Sequence, residues 1–426
     1  MIFIFLLCFI LLLISGMPIT FVLGVSSLIY FTLVGVPFEV MAQCMALTFD
    51  SFVMLAIPLF MLAGKLMNTG GITNRLFNFA DVCVKHISGG LGQVNVLASM
   101  IFAGMSGSAT ADCAGLGQVE IKAMHDKGFE DDFSAAITAA SACLGPIIPP
   151  SISMVIYGAL SGASVGALFA AGIIPGIIAG LGLMMMVYII SKKRKFPRSY
   201  KRSSGKEIIQ AFWKALPPLL TPVIILGGIL TGVFTPTEAA GVASLYAFIL
   251  GFFVYKEIAF KQLLGILYDV GKLTACVMVI VCTARVFGWV LTQQRVPHQL
   301  ANLLISGVGN KYLILLILNL FLLFLGCFLE NTAIEIIMIP LIVPILNRAG
   351  ISILHFGVVM AINMQIALIT PPMGMSLYVV SKLANVKVEK VVKAIIPFLI
   401  ILVIVLVLIT YIPSIPLFLP NLIWGL

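Results

Sequence analysis

The sequence predicts an all-α polytopic membrane protein made of two inverted repeats, each with a re-entrant helical hairpin and a discontinuous helix. Three observations predict it. Apolar residues make up 61% of the chain and charged residues only 10%. Mean hydropathy is +1.17. Two apolar stretches broken by polar residues are each followed by a helix containing a Pro-Pro pair. A soluble chain of 426 residues has no interior large enough for that much apolar surface, so lipid is part of its solvent.

Ten segments have the length and composition to cross a bilayer, which takes about 20 mostly apolar residues. They lie near 2–16, 18–36, 52–68, 133–158, 165–190, 211–233, 237–255, 273–292, 354–380 and 394–412. The first, without a basic leader or a small-residue cleavage site, is expected to be a retained span. Two further stretches, 92–125 and 312–347, are interrupted by Gly104-Met105-Ser106-Gly107-Ser108 and by Gly326 with Glu330-Asn331-Thr332. Arms of about 14 residues give about 20 Å of helix. That reaches mid-membrane, so both read as hairpins that enter and leave on one face.

The net charge of +9 carries no interleaved aromatic stripe, which argues against nucleic acid as a partner. Its placement instead fixes orientation. If the chain starts outside, 21 of the 25 basic residues fall on the cytoplasmic side, including Lys65, Arg75, Lys192 to Lys195, Arg198 and Lys201. Arg285 falls within a span and is expected to act there, or to pair or snorkel. Asp112 lies in an arm of the first hairpin, placed to support its tip or answer a lysine. The segments near 70–90 and 295–310 are expected along the interface as connecting arms. Thr235-Pro236-Thr237-Glu238 reads as a capping box with proline at the first helical position.

A shift of 222 residues superimposes Phe102 and Gly104 on Phe324 and Gly326, Thr110-Ala111 on Thr332-Ala333, and Pro149-Pro150 on Pro371-Pro372. The chain thus divides into repeats 1–210 (hairpin 92–125, broken helix 133–158) and 211–426 (hairpin 312–347, broken helix 354–380). Each half has an odd number of crossings, so the second copy is upside down, with the shared site at the midplane.

The breaks suggest chemistry. Pro149 cannot donate to the carbonyl of Gly145, nor Pro150 to that of Pro146. Carbonyls freed in hydrocarbon need partners, and a sodium ion beside the hydroxyls of Ser106 or Ser108 would supply one. In the second copy Pro371 frees Ala367 and Pro372 frees Leu368, near Gly326, Thr370 and Met373. The alternative is a kinked helix whose Ser or Thr satisfies the backbone without an ion. Half-helix N-termini at the hairpin tips suit a carboxylate. Ser151, Ser153, Glu330, Asn331, Asn363 and Gln365 are the candidate hydrogen-bonding groups for a polar solute, or else helix-packing residues.

These residues give the chain a resemblance to a known family. Ala56-Ile57-Pro58-Leu59-Phe60, the run from Phe102 to Asp112, Pro146 with Pro149-Pro150-Ser151, Gly232 with Thr235 to Ala240, and Thr370-Pro371-Pro372 with Gly374 carry it. The chain resembles, nearly end to end, the large membrane subunit of tripartite ATP-independent periplasmic (TRAP) transporters. The resemblance implies an ion-transporter-type elevator fold in the bacterial inner membrane, importing carboxylated solutes such as sialic acids or C4-dicarboxylates on a sodium gradient. It implies a separate small four-helix membrane subunit and a periplasmic substrate-binding protein as partners, and no cofactor beyond Na+. The family's sodium sites map onto Ser106, Ser108, Gly145, Ile148 and Pro149, and onto Gly326, Thr370 and Met373. Where many relatives carry aspartate at the second tip, this chain has Glu330. Two other readings are an ion-coupled carboxylate transporter needing no binding protein and a passive channel. No GxSG with a histidine partner, HExxH or paired intramembrane acids support an intramembrane enzyme.

Overall fold

The protein is described by a computed structural model covering residues 1–196, 202–372 and 374–425. Arg198, Lys201 and Met373 lie outside the described residues. The described residues form helices throughout. In chain order these are α1 (Ile2–Ile14), α2 (Ile19–Val34), α3 (Phe38–Phe49), α4 (Ala56–Thr69), α5 (Ile72–Val84), α6 (Leu91–Ser106) and α7 (Ala109–Ala114). They continue as α8 (Leu116–Asp126), α9 (Asp131–Ala142), α10 (Ile152–Ser161), α11 (Val165–Arg194), α12 (Gly205–Leu230), α13 (Pro236–Phe248) and α14 (Phe260–Gln293). The last are α15 (Val296–Val308), α16 (Lys311–Gly326), α17 (Asn331–Ala349), α18 (Ile353–Leu368), α19 (Met375–Ala384), α20 (Val388–Tyr411) and α21 (Ser414–Trp424).

Seven helices among the described residues are long and apolar enough to cross a membrane: Phe52–Thr69, Val165–Arg194, Gly205–Leu230, Pro236–Val254, Phe260–Gln293, Asn331–Ala349 and Val388–Tyr411. Of the ten expected segments, six overlap this set. The first two are the short helices α1 and α2, at 13 and 16 residues. The two expected as discontinuous helices are divided, α9 from α10 and α18 from α19. The span expected at 273–292 runs as α14 over 34 residues, about 51 Å of helix. Lys261, Asp269 and Lys272 masked its first turns in the hydropathy pattern. Helices α3 and α21 were not foreseen.

The two interrupted stretches fold as consecutive helices that touch one another. Helix α6 turns at Gly107-Ser108 into α7 and α8, and α16 turns at residues 327–330 into α17. Helix α17 has 19 residues, more than the expected arm. At the base of the first pair His125 Nδ1 lies 2.7 Å from Asp131 Oδ1, and that hydrogen bond raises the imidazole pKa above its ordinary value. The segments near 70–90 and 295–310 are the short helices α5 and α15. Arg285 donates to the carbonyl of Leu47 at 2.7 Å, closing the C-terminal end of α3 rather than serving the central site.

Packing explains how the first break is held. Gly172, Gly176 and Gly180 recur every four residues on one face of α11. A Cβ on them would lie 2.5 Å from the Ile147 carbonyl oxygen, 2.3 Å from Ile148 Cγ1 and 2.4 Å from Met100 Sδ. This stripe of small residues lets α11 seat against the break and against α6. Outside, Phe3, Leu181, Val223, Leu303 and Leu422 are exposed apolar residues suited to lipid.

The capping box forms as predicted. Thr235 Oγ1 accepts from the Glu238 amide at 3.3 Å, and Glu238 Oε2 accepts from the Thr235 amide at 2.8 Å. Thr235→Ala is expected to cost about 1 kcal/mol, read as a lower melting temperature in detergent, with transport unchanged. An unchanged melting temperature would show that the cap contributes nothing.

Candidate functional site

Each hairpin tip presses on a broken helix. Gly107 has φ +63°, and a Cβ there would stand 2.8 Å from the Pro150 carbonyl oxygen and 3.2 Å from the Ile152 amide nitrogen. Only glycine adopts this left-handed turn cheaply and leaves room for the facing backbone. On the other side a Cβ at Gly326 would stand 2.2 Å from Ala367 Cβ.

At the first break the carbonyl oxygens of Gly145, Ile148 and Pro149 accept no hydrogen bond from any described residue. The carbonyl of Pro146, expected to be free, instead takes the Ser151 hydroxyl at 2.6 Å. Ser151 also caps α10 by accepting from the Met154 amide at 3.2 Å, so its side chain is committed to the backbone. Ser106 is buried, and its Oγ accepts from the Ser108 amide at 3.4 Å. Ser108 Oγ caps α7 and lies 3.3 Å from Thr110 Oγ1. Asp112 faces Ser106 rather than any lysine. Its carboxyl abuts Gly145, where a Cβ would meet Asp112 Oδ2 at 2.6 Å. Both Asp112 oxygens are buried without a hydrogen-bond partner among the described residues.

At the second break the Ala367 carbonyl, expected to be free, accepts the Thr370 amide at 3.0 Å. It keeps one lone pair. The Leu368 carbonyl accepts no hydrogen bond from any described residue, and the Thr370 hydroxyl goes to the Ile366 carbonyl at 2.6 Å. Both Pro-Pro bonds, Pro149-Pro150 and Pro371-Pro372, are cis.

Between the tips lies a cavity of about 800 Å³. It brings together Ser106, Ser108, Ser153, Glu330, Asn331 and Gln365 from the sequence-derived set. Asn331 Nδ2 donates to the Met364 carbonyl at 2.6 Å, tying the second tip to α18. Asn363 is elsewhere: its Nδ2 donates to Asn319 Oδ1 at 2.8 Å, so it holds α18 against α16 and does not line the cavity. Sequence reasoning missed Glu335, which lines the cavity and receives the Ser153 hydroxyl. It also missed Lys65, which lines the cavity and pairs with Asp269 at 3.0 Å. The spacing of Glu335, four residues after Asn331 and hence one helical turn along the same face, was the signal available. The halves touch directly where Cys143 Sγ donates to the Gln365 carbonyl at 3.4 Å.

The sequence profile of the family described as "Tripartite ATP-independent periplasmic transporter, DctM component" matches residues 6–415. The chain belongs to this DctM family. It is 45% identical over 420 residues to the sialic acid TRAP transporter large permease protein SiaM of Vibrio cholerae, covering 97% of each chain. It is 41% identical over 423 residues to the sialic acid TRAP transporter permease protein SiaT of Haemophilus influenzae, covering 99% of this chain and 68% of that one. To the C4-dicarboxylate TRAP transporter large permease protein DctM of Pseudomonas aeruginosa it is 41% identical over 374 residues, covering 88% and 87%. Among solved structures, the Alcanivorax borkumensis YdaH transporter shares the fold with a TM-score of 0.66 at 12% identity, covering 88% of each chain.

As a DctM-family chain it is a multi-pass protein of the bacterial inner membrane and a transporter subunit, not an enzyme. Membership implies a tripartite system with a small membrane subunit and a periplasmic binding protein.

Proposed function

We propose that this DctM-family chain imports a carboxylated organic solute, of sialic acid or C4-dicarboxylate type, driven by sodium and delivered by a periplasmic binding protein. One observation carries the sodium assignment. A glycine turn seats the first polar tip on a broken helix whose Gly145, Ile148 and Pro149 carbonyls accept no bond from described residues. Hard oxygen donors without a proton partner, beside the Ser106 and Ser108 hydroxyls, suit a small cation. Gly326, Ala367, Thr370 and Met373 are the related set on the second side.

Inverted repetition is supported by the Cys143 contact to Gln365, because 365 is 143 shifted by the repeat spacing of 222. A residue that touches its own repeat mate lies on an axis relating the two copies. The cavity also runs toward Asn74 and Glu257, a side the distribution of basic residues makes cytoplasmic. An elevator movement of the tips and broken helices against the long spans would then carry this site between faces.

The test is uptake into proteoliposomes holding the chain with its small subunit. Transport requiring both a sodium gradient and the binding protein is expected; sodium-independent uptake would refute the coupling, and uptake without binding protein the tripartite delivery. Ser106→Ala and Ser108→Ala are each expected to raise the sodium concentration for half-activation about tenfold, with melting temperatures near that of the parent. Unchanged sodium activation in both variants would remove the ion assignment.

A further inference from the structure

The two connecting arms share a backbone device. Helix α5 follows Gly71, at φ +70°, and is left through Gly89 and Gly90, at φ +101° and +39°. Helix α15 follows Arg295, at φ +55°, and is left through Gly309, at φ +60°. Each arm is thus bracketed by left-handed residues, at which a helix stops and the chain changes direction.

The root of the first arm carries a further set of contacts. Arg75 Nη1 donates to the Gly71 carbonyl at 2.6 Å and to Glu257 Oε1 at 2.8 Å. Its guanidinium carbon lies 3.8 Å from the centre of the Tyr255 ring. Glu257 is presented by a strained turn, since Lys256 before it is a non-glycine residue at φ +54°. The Glu257 amide donates to the Gly251 carbonyl at 3.1 Å, within the π-helical turn Ile249–Val254 that continues α13. That turn sits on the arm's root, because a Cβ at Gly70 would lie 3.0 Å from Gly251 Cα.

These contacts cross a boundary. Helix α4 packs most extensively on α13 and α14, and α5 on α6 and α12. Arg75 and Glu257 therefore tie the arm that leads into the first hairpin to the group of helices that holds α4. Gly71, Asn74 and Glu257 also line the cavity on the side the basic residues make cytoplasmic. An exposed ion pair alone contributes little. Here a backbone hydrogen bond and a cation–π contact fix the same guanidinium. The sum is large enough to bias two states and small enough to break in each cycle.

We infer that Arg75 and Glu257 form a releasable clasp at the root of the first arm, which favours the state open to the cytoplasm. This rests on the elevator reading above and adds to it a contact that sets the balance between the two faces. Losing a contact made in one state alone moves the population toward the other. The clasp and the left-handed turn act together: a Cβ at Gly71 would overlap the Glu257 carboxylate, so a side chain there drives Glu257 away from Arg75.

Two-sided labelling of Ala111→Cys, an exposed position on α7 that lines the cavity, tests this. A membrane-impermeant maleimide is applied to inside-out and to right-side-out vesicles carrying the chain with its small subunit, in sodium. The signal of the chain without the added cysteine is subtracted. Ala111→Cys is expected to react from both faces, faster from the cytoplasm. Adding Arg75→Gln or Glu257→Gln is expected to lower the cytoplasmic-to-periplasmic rate ratio about fivefold, and adding both lowers it no further. Gly71→Ala should lower it as much with both charges kept. Gly35→Ala, at φ +75° with nothing within 4 Å of the added Cβ, should leave it unchanged. The ratio compares two faces of one folded population, so a loss of folded protein does not move it. A ratio unmoved or raised in Arg75→Gln and Glu257→Gln, or additive effects in the double variant, overturns the clasp alone. Reaction from one face only, in parent and variants alike, overturns the elevator reading on which it rests.

Discussion

Replacing Gly107 by alanine is expected to lower sodium-driven uptake by about a hundredfold, while Gly128→Ala changes it by less than about twofold. The comparison separates two physical terms. Both glycines have positive φ, +63° and +80°, so both replacements carry the cost of placing an L-residue in the left-handed region, about 1–2 kcal/mol. A Cβ at Gly128 meets nothing within 4 Å, whereas one at Gly107 meets the Pro150 carbonyl oxygen at 2.8 Å. Overpacking of that kind adds about 1–3 kcal/mol. The neighbour is backbone in the break itself and cannot rotate away, so the tip must lift. Lifting separates the Ser106 and Ser108 hydroxyls from the free carbonyls of Gly145, Ile148 and Pro149. The left-handed cost is common to both variants, so the difference rests on the close contact. At about 1.4 kcal/mol per factor of ten, the upper part of the overpacking range gives the stated loss. Melting temperatures of the two variants check that folding survives. Equal effects of the two substitutions would show that the close approach at the tip has no part in transport.

The outline of this arrangement was legible in the sequence because lipid imposes a strict rule on it. Backbone polar groups in hydrocarbon must be satisfied internally, so a Pro-Pro pair or a polar tip inside an apolar run stands out. The extents of the interrupted stretches follow that pattern: 92–125 became α6 to α8, and 312–347 became α16 and α17. What the pattern could not carry was side-chain direction. Ser151 and Ser153 look alike in sequence. Ser151 turns back to the Pro146 carbonyl, while Ser153 crosses to Glu335. Asn363 and Gln365 are two positions apart on α18, about 200° around the helix. Hence Asn363 faces α16 while Gln365 faces the cavity. Lys65 entered the sequence argument only as a cytoplasmic charge, yet α4 carries it into the cavity wall. The hydropathy pattern also began α14 too late, at 273 rather than at Phe260, because Asp269 and Lys272 read as loop. In the structure Asp269 extends from a helix to pair with Lys65.

The second tip permits a reciprocal experiment that the first does not, because its close neighbour is a side chain. A Cβ added at Gly326 would lie 2.2 Å from Ala367 Cβ, well inside the separation two carbon atoms tolerate. Gly326→Ala is therefore expected to reduce uptake by at least about thirtyfold, the upper part of the overpacking range of about 1–3 kcal/mol. Removing the opposing methyl should restore the space. In Gly326→Ala with Ala367→Gly, one Cβ replaces the other and the tip can seat again on α18. The remaining cost is a helical glycine at position 367, about 0.5–1 kcal/mol, so uptake should return to within about fivefold of the parent chain. Ala367→Gly alone should show the same small loss. The three variants form a double-mutant cycle whose coupling isolates the contact. Asn331 supplies an internal check, since its bond to the Met364 carbonyl holds the same tip to the same helix. A double variant as impaired as Gly326→Ala would mean that position 326 acts through its own backbone. The second hairpin would then not depend on contact with the broken helix at Ala367.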